Sequence, residues 1–373
     1  MFKLNRIVDI GLLMITLALV AIGFVMVASA THVDIVGMTR EVRFQVISFG
    51  LGFLVMVLLT IIDYRVWGKF YLLIYALSIG ALLLVYIPGL GVTRNNATSW
   101  INLKFMNFQT SEVAKIGFII SFAKLLELRK GKLKTPVDML LPLLFIAPFL
   151  YLLKKQPDLG TMLVFVFIFL GMLFVGGIDL KMVILAVIGF VATIPILYNS
   201  LDGYARGRID AFLNPNDPSQ RGYWQVKMSK ITIGSGRLLG QGPFKGSFSA
   251  NNFLPVQESD FIFAVLVEEY GFVGGIVVLG LYFLFFTRLI HIAFLSDDQF
   301  GTNIVIGVLF MFGYHVFQNI GMTMGLMPVT GVPLPFISYG GSSMLINMIG
   351  IGLVMSVYLR RKEKQPEDEF SKL

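Results

Sequence analysis

Long apolar runs decide what this chain can become. Stretches of roughly 17–25 residues with few charges recur along its whole length, each long enough to cross a bilayer as a helix. Of 373 residues, 56% are hydrophobic and only 14% are charged, too little polar surface for a water-soluble protein of this size. The expected fold class is therefore an all-α integral membrane protein, with no room for a separate soluble domain. The first run, 7–28, is longer than the apolar core of a signal peptide and leads into no tidy cleavage site, so it is read as a helix. Cysteine is absent, which excludes disulfides and thiolate metal sites. The net charge of +8 is no nucleic-acid signature here; it reflects basic residues on the cytoplasmic side.

The pattern predicts ten transmembrane helices, at 7–28, 43–62, 69–87, 111–127, 138–153, 159–175, 182–198, 260–287, 302–324 and 340–359. Residues 1–360 then form a single polytopic membrane domain. Lys3, Arg6, Arg65, Lys69, Arg129, Lys130, Lys181, Arg288, Arg360 and Arg361 all fall on one side, which places both termini in the cytoplasm. The tail 361–373 is charged, lacks apolar periodicity and is expected to be disordered. Three segments lie on the outer side. The first, 88–110, is expected to be a loop. The second, 199–259, is a large extracytoplasmic loop between helices 7 and 8, too long for a plain connection. The third, "LMPVTGVPLPFISYGG" (Leu326 to Gly341), is too apolar for a solvated loop and too rich in Pro and Gly for a helix. Such backbone must be buried in protein or line a cavity. Within the long loop, "YWQVKMSKI" puts Trp224, Met228 and Ile231 on one helical face, suited either to the outer headgroup layer or to packing on the rest of the loop. The glycines of "IGSGRLLGQGPFKGS" can make a turn-rich loop or, with bare amides, a phosphate cradle; no known phosphate-loop spacing is present.

Ionisable residues at the rim of the hydrocarbon are costly and mark candidate function. Glu112 and Lys115 share one face of the fourth span, Asp158 opens the sixth, and Asp260 opens the eighth in "FLPVQESDFIFAVLVEEYG". Arg206 and Arg208 follow the seventh. All lie on the outer side and can converge. Each also has a plainer reading: Asp158 and Asp260 as N-caps, Glu112 and Lys115 as a local ion pair, Arg206 and Arg208 as anchors to lipid phosphate. His315 and Asn319, one turn apart, are explained by interhelical hydrogen bonding. Glu268 and Glu269 are read as braces of their helix, and Gly271, Gly274 and Gly275 as a place for it to bend.

The segments "FLPVQESDFIFAVLVEEYGFVGG", "MPVTGVPLPFISYGGSS", "QTSEVAKI", "KKQPDLGT" and "IGSGRLLGQG" together resemble, in order and over nearly the whole chain, the SEDS proteins of shape, elongation, division and sporulation. The stretch "SKITIGSGRLLGQGPFKGSFSANNFLP" resembles the RodA elongation branch. The resemblance implies a peptidoglycan glycosyltransferase of the bacterial cytoplasmic membrane that polymerises lipid II on the outer face. Its implied partners are a class B penicillin-binding protein, met through transmembrane helices, and other membrane proteins of the elongation machinery. Asp260 matches the essential aspartate of the family, Glu112 and Lys115 its acidic–basic pair, and Asp158 its acid on the sixth span. Three departures stand out: Thr110 replaces a proline, Glu258 replaces a histidine, and Ser99 stands where an arginine often precedes Trp100, with Arg94 as a candidate substitute.

Glycan polymerisation joins a sugar hydroxyl to the anomeric carbon of a lipid-linked sugar and expels a diphosphate. A positioned carboxylate that takes the hydroxyl proton contributes about 10²–10⁴-fold, so Asp260 is the candidate general base. Diphosphate needs no proton to leave, unlike the alcohol expelled by a glycosidase. It needs positive charge, from Lys115, Arg206 or Arg208 or from Mg²⁺ or Mn²⁺ held by Asp260 and Glu258. Trp100 and Asp158 are candidate substrate contacts. One base without a covalent intermediate implies inversion. The rival reading is a flippase or transporter of lipid-linked cell-wall precursors, in which the same charges bind headgroups in passage; a purely structural scaffold is a second rival.

Overall fold

The computed structural model describes residues 8–32, 38–94, 97–102, 107–131, 135–177, 179–199, 203–215, 217–219 and 222–361. The tail beyond 361, expected to be disordered, lies outside them. A helix falls on each of the ten expected spans: α1 (Ile10–Ala30), α2 (Arg40–Ile61), α4 (Tyr71–Leu83), α5 (Thr110–Leu128), α6 (Leu140–Lys155), α7 (Leu159–Val175), α8 (Leu180–Asn199), α12 (Ile262–Leu295), α13 (Gln299–Thr323) and α14 (Gly341–Leu359). Short helices fill the connections: α3 (Tyr64–Lys69), α9 (Gly203–Leu213), α10 (Tyr223–Ser235) and α11 (Ser247–Ala250). Among the described residues, six helical segments are at least 18 residues long and apolar enough to cross a membrane, and three shorter apolar ones join them. α5 carries Glu112, Lys115, Lys124 and Glu127, which is why its apolar character is weaker.

The sequence starts these helices with oxygen-bearing side chains. Asp9, Thr39, Asp63, Asp158 and Asp298 each accept a backbone N–H of the first turn, satisfying a donor that a helix start otherwise leaves open. α13 is the central post. Asn303, His315, Gln318, Asn319 and Thr323 on it are all buried, while Phe317 leaves one strip of it exposed. Outer helices instead expose leucine and phenylalanine, such as Leu51, Leu54 and Leu58 of α2 and Phe272 and Phe283 of α12. That surface suits lipid, not water.

The segment 88–110 departs from the plain loop expected. It holds a small antiparallel sheet, β1 (Gly91–Arg94), β2 (Ala97–Asn102) and β3 (Asn107–Gln109), in which Trp100 pairs with Gln109. Strands of three to six residues give too short an alternation to read. β3 runs straight into α5, so the sheet sits against the start of that helix.

The glycine-rich run has a structural use. α12 is broken at Gly271, whose φ of 68° and ψ of −167° lie outside the helical region. The freed carbonyls take partners from the run: Gln241 N donates to Glu268 O and Gly242 N to Glu269 O, while Phe272 N and Val273 N donate back to Arg237 O and Leu238 O. A Cβ on Gly240 would lie 2.1 Å from Glu269 O, and one on Gly236 would lie 1.9 Å from Val267 O. The glycines let two backbones touch, so the amides of Gln241 and Gly242 are spent on α12 rather than on a phosphate cradle. Glu268 accepts from Phe248 N and Ser249 N at the start of α11, and Glu269 from Ser29 of α1. Both acids brace the broken helix. α10 packs through buried Ser229, whose Oγ donates to Thr323 O, while Trp224 and Ile231 face outward.

Candidate active site

The segment 326–341 is buried in protein and also lines a cavity. Its Phe336 carbonyl fits against Gly23 of α1, where a Cβ would come within 2.4 Å. Tyr282 of α12 donates to Pro335 O, Gln318 of α13 to Pro328 O, and Gln45 of α2 to Ser338 O. These bonds give partners to carbonyls of irregular backbone that packing would otherwise leave unpaired. Gly331, with φ of 73°, makes the turn that presents Thr330 and Gly331 to the cavity.

The cavity has a volume of about 520 Å³. Its walls come from the start of α2 (Arg40, Glu41), the sheet (Ser99, Trp100, Gln109), the start of α7 (Asp158, Gly160), α9 (Arg208), the loop before α12 (Glu258, Ser259, Asp260) and the segment 326–341 with the start of α14. Three helices, α2, α7 and α14, therefore bring their N-termini to one space. Their dipoles favour an anion there.

Asp260 is half-buried on the wall. Desolvation pushes its carboxyl above the usual carboxylate range; Ser259, which donates to Oδ1 at 2.9 Å, and the charge of Arg208 oppose that rise, and Glu258 adds to it. The Asp260 Oδ2 and Arg208 Nη1 atoms both lie close to the Cβ position of Gly331, at 3.3 and 3.9 Å, so acid and guanidinium face the same turn. The loop is pinned from behind: Tyr339 N donates to Glu258 O at 2.8 Å and Ser338 Oγ to Ser259 O at 2.6 Å.

Glu258 is half-buried on the same loop and lines the cavity beside Asp260. Asp158 reaches the cavity from a different element, as the cap of α7. Thr161 N donates to its Oδ1 at 3.0 Å, and Thr161 Oγ1 and Gln109 Nε2 donate to Oδ2. The N-cap reading and a place on the cavity wall are thus both true of Asp158. Asp260, by contrast, caps nothing, because the N-cap position of α12 is Phe261 and has no side-chain cap bond.

The structure brings Asp260, Glu258, Arg208, Asp158 and Trp100 to one cavity and leaves three expected residues outside it. Arg206 is exposed and stacks on the Tyr198 ring at 4.6 Å, on the other side of α9 from Arg208. Glu112 and Lys115 are 3% and 2% exposed. Lys115 Nζ lies 2.9 Å from Glu112 Oε1 and 2.9 Å from His315 Nε2, so it spends its charge inside the protein. His315 thus makes the interhelical bond expected of it. The side chain of Arg94 lies outside the described residues. Arg40 and Glu41 join the expected set. They open a span as Asp158 does, but the apolar run starts only after them, which hides them in the sequence.

Residues 10–363 match the model of the cell cycle protein family that spans FtsW, RodA and SpoVE. The peptidoglycan glycosyltransferase MrdB of Escherichia coli (strain K12) is 37% identical over 358 residues, covering 95% of this chain and 94% of that protein. A probable peptidoglycan glycosyltransferase FtsW of Geobacter sp. (strain M18) is 34% identical, covering 95% and 97%. Among solved structures, a chain of a peptidoglycan synthase complex that coordinates polymerization and crosslinking superposes with a TM-score of 0.81 at 32% identity, covering 96% of this chain and 99% of that one. The rod shape determining protein RodA of Thermus thermophilus gives 0.71 at 30% identity, covering 96% and 98%. With its helical membrane architecture and its motifs in order, the chain belongs to the FtsW, RodA and SpoVE family, the SEDS proteins.

Proposed function

We propose that this chain is a peptidoglycan glycosyltransferase that polymerises lipid II during cell-wall elongation, with Asp260 as general base. The observation that carries the reading is Asp260 and Arg208 facing one turn in a cavity ringed by three helix N-termini. The acceptor sugar hydroxyl gives its proton to Asp260 as its oxygen bonds to the anomeric carbon of the donor. The bond from that carbon to the diphosphate oxygen breaks, and the diphosphate leaves with its electron pair. Attack from the face opposite the leaving group inverts the anomeric centre. Arg208 and Arg40 line the cavity and neutralise the diphosphate; Lys115 does not reach it and holds α5 to α13 instead.

Among the described residues no three His, Asp or Glu side chains cluster as a metal site. Asp260 and Glu258 are two carboxylates on one loop, which fits Mg²⁺ or Mn²⁺ only when diphosphate oxygens and water complete the shell. Such an ion would supply positive charge to the departing diphosphate. The cavity belongs on the outer face of the bacterial cytoplasmic membrane, with both termini inside, as the basic residues direct. A class B penicillin-binding protein that crosslinks the product is the proposed partner, by analogy with the synthase complex.

The test separates polymerase from flippase. Full-length protein in liposomes receives labelled lipid II, with and without the transpeptidase and Mg²⁺. The polymerase reading predicts glycan strands on a gel. Transfer of lipid II between leaflets without any strands would replace it by the transporter reading.

A further inference from the structure

We propose that Asn319 is a positioning residue for Asp260, fixing the carboxylate through its own backbone carbonyl. The proposal rests on the reading of Asp260 as the base. Asn319 lies on α13, is fully buried, and uses both amide hydrogens: Nδ2 donates to Asp260 O at 3.1 Å and to Val332 O at 2.9 Å. These carbonyls belong to the two irregular segments that meet at the cavity.

The Asp260 carbonyl needs such a donor. Helical bonding in α12 starts one residue later, with Ala264 N and Val265 N both donating to Phe261 O. Three consecutive carbonyls are therefore held from three places: Glu258 by Tyr339 N, Ser259 by Ser338 Oγ, and Asp260 by Asn319. The first two donors come from segment 326–341 itself. The third comes from a membrane-buried helix, so it refers the aspartate to the rigid centre of the protein. A side-chain amide carries two donors on one nitrogen; serine or threonine has one, and aspartate in its ionised form has none. Without this bond the peptide between Asp260 and Phe261 is free to turn, and the carboxylate moves with it. A misplacement of about 1 Å at a reacting group costs on the order of 10²-fold in rate.

The neighbouring Gln318 supplies a matched comparison. It is equally buried on α13 and also donates to segment 326–341, at Pro328 O, without touching the aspartate loop. The experiment measures lipid II polymerisation by the full chain in nanodiscs with its transpeptidase, for wild type, Asn319→Ala, Gln318→Ala, Ser338→Ala and Asp260→Asn. Each variant is also measured for KM and for thermal unfolding. The expected result is that Asn319→Ala lowers kcat by roughly 10- to 100-fold with KM within about threefold, and more than its loss of Tm relative to Gln318→Ala accounts for. Ser338→Ala, which frees the Ser259 carbonyl of the same loop and the Leu334 N–H whose bond the hydroxyl accepts, loses kcat to a smaller degree and keeps the test decisive if Asn319→Ala fails to fold. Parallel losses of Tm and kcat across all three would overturn the proposal in favour of a structural role. Wild-type kcat in Asn319→Ala, or in Ser338→Ala where Asn319→Ala does not fold, with Asp260→Asn inactive, would overturn positioning alone. Wild-type kcat in Asp260→Asn would overturn the base reading beneath it.

Discussion

One methyl group placed at two glycines of α12 should act in opposite directions. At Gly271 the backbone sits at φ 68° and ψ −167°, and an added Cβ would lie 2.4 Å from Gly240 N and from Leu238 O. The conformation alone costs a side chain about 1–3 kcal/mol, and forcing two backbones apart costs about 1–3 kcal/mol more. Separation also weakens the four bonds that join the glycine-rich run to the break. The sum, about 2–6 kcal/mol, is a large part of the roughly 5–15 kcal/mol typical of a folded domain. At Gly280, exposed in the same helix with nothing within 4 Å of the added atom, alanine instead removes about 0.5–1 kcal/mol of backbone entropy cost. Gly271→Ala should therefore lower the unfolding temperature of the purified protein sharply, and Gly280→Ala should hold or raise it. Limited proteolysis should also cut near Arg237 in Gly271→Ala before it cuts the wild type. Equal unfolding temperatures for the two variants would refute the account of the break.

Asp298 carries a pH-dependent part of the stability. Burial disfavours its charge, but Gly301 N–H, Arg65 and Tyr64 outweigh that, and its carboxyl is held below the usual range. Its contribution is complete above the ordinary carboxylate pKa of about 4 and is lost as pH falls through the lower folded value, so Asp298→Asn should lower Tm at pH 7 and matter progressively less as the medium is acidified below pH ~4. Asp158→Ala should lose about 1 kcal/mol with the cap, while Asp158→Asn keeps a cap oxygen; lost activity with kept Tm in Asp158→Asn would assign its charge to substrate, and unchanged activity would leave it a cap. Arg208→Ala should raise the KM for lipid II about tenfold, as loss of one charge-assisted contact does, while Arg206→Ala should stay within about twofold; equal effects would contradict their placement on opposite sides of α9.

Much of this was legible from residues. The helices that fall on the long apolar runs follow from run length, because a bilayer fixes how long a spanning helix must be. Asp260, Asp158 and Arg208 were legible as ionisable groups stranded at a membrane rim, and Trp100 only through the family resemblance. Direction around a helix was not: Arg206 and Arg208 are two residues apart, and only the packing of α9 decides which faces the cavity. Lys115 could be read as an ion pair with Glu112 or as a phosphate contact; its second partner, His315, is distant in sequence, and only the packing of two helices shows its charge spent inside the protein. The glycine-rich run concealed its partner for the same reason, since Gly240 meets Gly271 only in three dimensions.

Asp260 is the proposed acceptor of the hydroxyl proton. The direct measurement is strand synthesis from lipid II by purified Asp260→Asn protein with its transpeptidase, beside its unfolding temperature. Burial holds the Asp260 carboxyl above its usual range, so a neutral amide in its place should leave Tm unchanged or higher. The account predicts a folded protein that makes no glycan strands. Strands formed at the wild-type rate by a folded Asp260→Asn protein would contradict it.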